Sequence, residues 1–181
     1  MIRICDNRTE LDFTEYHIPY KIGCWIDVFP IDGTYEDIKK RQKQFKRIRL
    51  LNDLFLCCLT KFGIKRRSKK ATVLQYAILP ALPFIRMYGY RNYLDKIDKV
   101  ARECDYEKSE YVAVIGGRAG VKEAMKKSDM EPAVLVDFNG HKFYTMKNYD
   151  QYLTNLYGDY MTPPSEKDRA SRHIIEVCWK D

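Results

Sequence analysis

The chain has 181 residues, a formal net charge of +7 and an apolar fraction ordinary for a globular protein, so it suits one domain with a substantial core, or one domain with a docked helical subregion. Six cysteines at 5, 24, 57, 58, 104 and 178 include no C-x-x-C pair and no matching histidine spacing, which excludes a structural zinc site and reads as reduced thiols. No apolar stretch is long enough to span a bilayer, and the N-terminal residues turn polar before a signal sequence forms, so the expected location is cytoplasmic.

Residues 1–20 alternate polar patches (Asp6 to Glu10, then Asp12, Thr14 and Glu15) and read as an irregular lead-in, as though the chain began partway through a fold. The first predicted strand is Trp25-Ile26-Asp27-Val28-Phe29, closed by Pro30 and followed by the turn residues Asp32-Gly33. It reads as a short buried strand containing one carboxylate. A buried carboxylate must be paired, hydrogen-bonded, protonated or bound to a cation. Two readings of Asp27 stand open: a strand-end acid accepting hydrogen bonds from backbone or arginine, or a catalytic or metal-binding group.

From Thr34 to Gly63 apolar residues recur with helical spacing at Ile38, Phe45, Ile48, Leu51, Leu54 and Phe55, with Thr34 as the expected N-cap. Lys39, Lys40, Lys43, Lys46, Arg47 and Arg49 take the other faces. A second basic run, Lys65 to Lys70, precedes the apolar stretch Val73 to Ile85, interrupted by Pro80 and Pro83. That stretch reads either as a buried helix broken by proline or as a segment lying in a membrane interface. The two basic clusters are solvated helix faces or patches for anionic leaflet or phosphate; without interleaved aromatics they point away from nucleic acid.

Tyr93 to Cys104 has a helical pattern with Leu94, Ile97, Val100 and Ala101 on one side. Tyr111 to Ile115 is strand-like and runs into Gly116-Gly117-Arg118-Ala119-Gly120, ahead of a charged segment, Val121 to Lys127, expected to be helical. Such a turn either cradles phosphate on its backbone N–H groups or serves geometry alone. Residues 133–146 around Asn139-Gly140 carry a hairpin signal. A helix follows from Asn148, carrying Tyr149, Tyr152, Leu153, Leu156 and Tyr157 and stopping at Gly158, and the remainder reads as an extended tail. His141 and His173 are candidate bases, although a merely hydrogen-bonded histidine is the commoner case.

Two passages taken together resemble the LicD family: Trp25 to Gly33, and Tyr149-Asp150-Gln151-Tyr152-Leu153 with Tyr157-Gly158-Asp159-Tyr160-Met161-Thr162-Pro163-Pro164. The hairpin Val136 to His141 fits as well, and the resemblance runs from about Cys5 onward. It implies a nucleotidyltransferase-like fold and transfer of phosphocholine, or a related phospho-alcohol such as the ribitol phosphate of the fukutin group, from a CDP-linked donor to a glycan or lipid-linked glycan. It also implies Mg²⁺ or Mn²⁺ as cofactor. Asp27 matches a metal-binding, catalytic aspartate of the family, and Tyr157, Asp159 and Tyr160 fall where the substrate site is shaped. The family's D-D-D-I-D string is absent from this sequence, so the expectation is a C-terminal portion of a LicD-type protein, inactive or dependent on a separate N-terminal half.

The expected architecture is α+β: a partial nucleotidyltransferase-like small sheet with surrounding helices, one domain over 1–181 with a basic helical insert at 34–104. Peripheral association with the inner face of the membrane follows from the basic clusters. From a different class comes the alternative of a non-catalytic basic module that binds anionic membrane or polyanion.

Overall fold

A computed structural model describes residues 2–13, 16, 19–61, 73, 76–166, 169 and 178–179. Helices and strands are mixed in an α+β arrangement. The chain divides into two compact units, one of Met1–Val28, Arg49–Asp98 and Arg172–Asp181, the other of Phe29–Ile48 and Lys99–Ser171.

In the first unit, the residues read as an irregular lead-in form strand β1 (Ile2–Phe13), antiparallel to β2 (Tyr20–Val28), with Ile2 opposite Val28 and Phe13 opposite Tyr20. The polar residues that suggested a loop are cross-strand partners: Arg3 bonds Asp27 and Lys21 bonds Glu10. The register shifts between Asp6 and Leu11. There the buried Thr9 hydroxyl donates to the Asp6 carbonyl at 2.9 Å and accepts the Cys24 N–H at 2.7 Å, supplying bonds that the irregular ladder lacks. On the other side of β1, the short strand β8 (Cys178–Trp179) pairs with Thr9 and Glu10, so this part of the predicted tail is sheet. Phe13 and Tyr20 stack with centroids 5.0 Å apart.

Helix α1 (Ile38–Leu59) occupies the predicted helical segment, with residues 38–48 in the second unit and 49–59 in the first. Its cap is Asp37, whose Oδ1 accepts the Lys40 N–H at 2.8 Å, and not Thr34, which lies in a strand. The predicted basic residues on α1 are all exposed. Near its C-terminal end, Arg86 donates to the carbonyls of Cys57 (3.4 Å) and Thr60 (3.3 Å), serving groups that the helix cannot bond itself. Arg86 belongs to α2 (Leu82–Tyr88), which follows a 3₁₀ turn at Leu79–Ala81. Pro80 and Pro83 both stand in first-turn positions, where no N–H is required, and α2 buries Leu82 and Ile85. Helix α3 (Tyr90–Ala101) buries Tyr93 and Val100, seven residues apart, while Leu94 is exposed.

The second unit is built on a small antiparallel sheet of β3 (Asp32–Thr34), β4 (Tyr111–Ala113) and β5 (Met125–Lys126). Val112, Met125 and Met130 form its buried centre, with Tyr106, Met146 and Tyr152 packed against them. The predicted charged helix over 121–127 is instead a 3₁₀ turn (Gly120–Glu123), then β5, then the one-turn helix α4 (Lys127–Met130). Pairing of β5 with β4 overrides helix propensity because it buries Met125. The hairpin of β6 (Val134–Phe138) and β7 (His141–Thr145) forms as predicted, with Asn139 at φ 50° and Gly140 at φ 77° providing the left-handed turn. Asn148 caps α5 (Tyr149–Tyr157), and Gly158 ends it at φ 73°.

Polar side chains knit this unit together. Gln44 is 1% exposed, accepts from the Thr34 hydroxyl at 2.7 Å and donates to the Val100 carbonyl at 3.0 Å. Arg41, also buried, donates to the carbonyls of Tyr35 and Glu36 while its guanidinium lies 4.0 Å from the Tyr111 ring centre. Replacing Gln44 by Ala would strand both of its partners and leave a void, so Gln44→Ala is expected to cost about 2–4 kcal/mol of stability, measured by urea denaturation.

Candidate functional site

The first motif passage is less enclosed than its sequence implies. Ile26 is 70% exposed, and Val28 and Phe29 are exposed as well, so this end of β2 is not a buried strand. The Asp27 side chain retains 33% of its exposure and accepts from Arg3 Nε at 3.1 Å across the β1–β2 pair. Arg3 in turn lies with its guanidinium 4.6 Å from the centre of the Trp25 ring. A partly exposed pair of this kind contributes on the order of 0–1 kcal/mol. Of the two sequence readings of Asp27, the geometry matches the acid held by arginine.

Mg²⁺ and Mn²⁺ prefer several oxygen ligands converging on one point. Among the described residues no group of three or more His, Cys, Asp or Glu side chains is placed to hold a metal ion. Asp27 offers a single carboxylate that already has a cationic partner. Asp105 accepts the backbone N–H of Glu107, and Asp137 stands opposite Lys142 on the hairpin. These side chains do not fit a divalent-ion site.

The second motif passage is better organised. The buried Glu123 closes back on the glycine-rich turn: its Oε1 accepts the Ala119 N–H at 3.2 Å, and a Cβ placed on Gly117 would meet that oxygen at 2.4 Å. The turn therefore holds an anion, but one supplied by the chain itself. The opposite oxygen, Oε2, accepts the Tyr152 hydroxyl at 2.6 Å and so ties α5 to the turn. Burial, followed by this bond to a carboxylate, pushes the Tyr152 phenol well above the ordinary tyrosine range. Neither Glu123 nor its partnership with Tyr152 was anticipated from the sequence. The available signal was an acid three residues after Gly120, within reach of the turn's N–H groups.

The end of α5 is a surface feature built from three predicted substrate-site residues. Tyr157 is 71% exposed. Asp159 accepts both the N–H (3.3 Å) and the hydroxyl (2.6 Å) of Thr162, and the hydroxyl bond holds its carboxyl below the usual carboxylate range. Tyr160 donates to Asp150 at 2.6 Å, closing the turn onto the first turn of α5. Tyr157, Asp159 and Tyr160 thus share one exposed, hydrogen-bonded corner of the second unit, whereas Asp27 belongs to the first unit.

The remaining candidates are dispersed. His141 is exposed on the hairpin, edge-on to Phe143, and His173 lies outside the described residues. The second basic run, Lys65 to Lys70, also lies outside them. On α1, Arg47 forms an ion pair with Glu103. No two of the six cysteines are bonded to one another. Among the described residues no helix is long and apolar enough to cross a membrane.

The corner at the end of α5 thus combines an exposed tyrosine ring with an acid already held by hydrogen bonds. The chain is 30% identical over 180 residues, 98% of its length, to the lipopolysaccharide cholinephosphotransferase LicD of Haemophilus influenzae. That similarity makes it a member of the LicD family. It spans 64% of the length of that relative. No protein-family model matches the chain, and no solved structure does.

The Tyr152–Glu123 contact predicts a pH response. With its folded pKa raised above the unfolded value of about 10, Tyr152 contributes stability that is fully present below pH ~10 and lost as pH rises through the folded pKa. Urea denaturation at pH 8 and pH 11 is expected to show a steeper loss of stability for the wild type than for Tyr152→Phe, which has no proton to release.

Proposed function

We propose that this chain serves the transfer of phosphocholine, or a related phospho-alcohol, from a CDP-linked donor to a cell-surface glycan. The observation that carries the reading is the similarity to the Haemophilus influenzae enzyme, sustained over 98% of the chain and including both motif passages. In the reaction, the glycan hydroxyl oxygen forms a bond to the phosphorus that bears the alcohol, the pyrophosphate bond breaks, and CMP leaves.

The part proposed for the described residues is recognition. Tyr157 presents an open aromatic face on which a sugar ring or the choline group can lie, and its rigid ring has little rotamer freedom to lose. Asp159 and Tyr160 are already fixed by Thr162 and Asp150, so the corner keeps its shape without ligand. Asp27 with its Arg3 partner is proposed to shape the strand end rather than to bind a metal. Because the described residues do not supply a divalent-ion site, turnover is proposed to require acidic groups beyond them.

Release of CMP from CDP-choline in the presence of a phosphocholine-free lipopolysaccharide tests the reading, with the chain alone and with the chain plus the portion of the Haemophilus influenzae relative outside the match. CMP release in the supplemented reaction, lowered about tenfold or more in kcat/KM by Tyr157→Ala without loss of stability, is the expected result. No release in either reaction, with CDP-choline or with CDP-ribitol, would overturn it.

A further inference from the structure

Helix α2 turns apolar side chains both inward and outward. Leu82 and Ile85 are buried, and the one charged residue of the helix, Arg86, donates to the Cys57 and Thr60 carbonyls near the end of α1. Helical spacing puts Pro83, Phe84 and Met87 on the opposite side, where Phe84 is 69% and Met87 79% exposed. The turn leading into the helix adds Leu79, Pro80 and Ala81, all exposed. A helix side in contact with water is expected to be polar, and this one offers no polar side chain. We propose that it docks on a bilayer containing anionic phospholipid, with α2 lying along the surface and Phe84 and Met87 entering the boundary between headgroups and acyl chains.

The flanks of the patch favour a bilayer over a protein groove. Tyr88 meets the ring of the buried Tyr93 edge-on at 4.9 Å and carries the Lys96 ammonium 4.7 Å from its own ring centre. Tyr90 is exposed, and its hydroxyl accepts from Arg91 Nε at 3.3 Å. Tyrosine places its apolar body inward and its polar tip at headgroup level, and the long stems of Lys and Arg cover apolar surface while their charges reach lipid phosphate. The charge balance is complementary to such a surface: residues 60–98 hold nine Lys and Arg against two acids, Asp95 and Asp98.

The contact is shallow. Seven residues of helix are roughly 10 Å long, and among the described residues no helix is long and apolar enough to cross a membrane. The two sequence readings of Val73 to Ile85 then divide residue by residue within α2, where Leu82 and Ile85 belong to the core and Phe84 to the lipid contact.

Flotation of the full chain at low salt with vesicles of phosphatidylcholine and phosphatidylglycerol in equal parts tests the proposal. The chain is expected to float with these vesicles, to partition at least tenfold more weakly into pure phosphatidylcholine, and to lose at least tenfold in partitioning when Phe84→Ser and Met87→Ser are combined. Both side chains are largely exposed, so the paired substitution is expected to leave the circular dichroism spectrum unchanged. A chain that stays in the aqueous phase, as it would if the patch receives a protein, overturns the proposal. So does vesicle binding that the paired substitution leaves undiminished, which would assign it to the basic residues alone. Should that variant fail to fold, Phe84→Trp decides: quenching of its added emission by acyl-brominated phosphatidylcholine in the mixed vesicles supports insertion, and absence of quenching overturns it.

Discussion

The carboxylate of Glu123 is the contact on which the ordered surface of the second unit depends. It satisfies the Ala119 N–H in the glycine-rich turn and receives the Tyr152 hydroxyl from α5, so one buried acid joins a loop to a helix. A carboxylate is tolerated in that place because both of its oxygens accept hydrogen bonds. Its consequence extends along α5. The helix that Tyr152 anchors carries Asp150 at its start and Tyr157 at its end, and the turn beyond is closed by Tyr160 on Asp150 and by Thr162 on Asp159.

This arrangement changes the meaning of the glycine-rich turn. A strand followed by such a turn suggests a place for a ligand phosphate, and the backbone here does receive an anion. The anion is internal, so the turn works as a joint. The recognition role proposed above falls to the exposed corner that the joint supports, where Tyr157 is exposed and Asp159, two residues on, is held by Thr162. The family relationship supplies the chemistry proposed for that corner, and the geometry supplies its pre-organisation.

Features set by local rules were legible in the sequence. The Asn139-Gly140 hairpin needs positive φ angles that few other residue pairs adopt, α5 is bracketed by an asparagine cap and a glycine stop, and α1 follows its apolar period. Features set by distant partners were not. Residues 2–13 resemble a loop because Arg3, Asp6, Arg8, Glu10 and Asp12 are polar, yet Arg3 and Glu10 pair across the hairpin with β2 residues. The Trp25 to Phe29 run has the side chains of a buried strand, yet one face of that sheet end is bare. Thr34 has the chemistry of a cap, but its hydroxyl serves Gln44 ten residues later. Tyr157, Asp159 and Tyr160 enter as candidates through the family resemblance alone; Glu123, whose bond to Tyr152 ties α5 to the glycine-rich turn, lies outside the motif.

Saturation-transfer NMR with a phosphocholine-free lipooligosaccharide core as probe addresses the central claim directly, by reporting whether protein aromatic protons lie against sugar protons. Transfer is expected in the wild type, with its loss in Tyr157→Ala and marked weakening in Glu123→Ala, where the corner loses its support. Transfer that persists undiminished in both variants would contradict a recognition role for this corner.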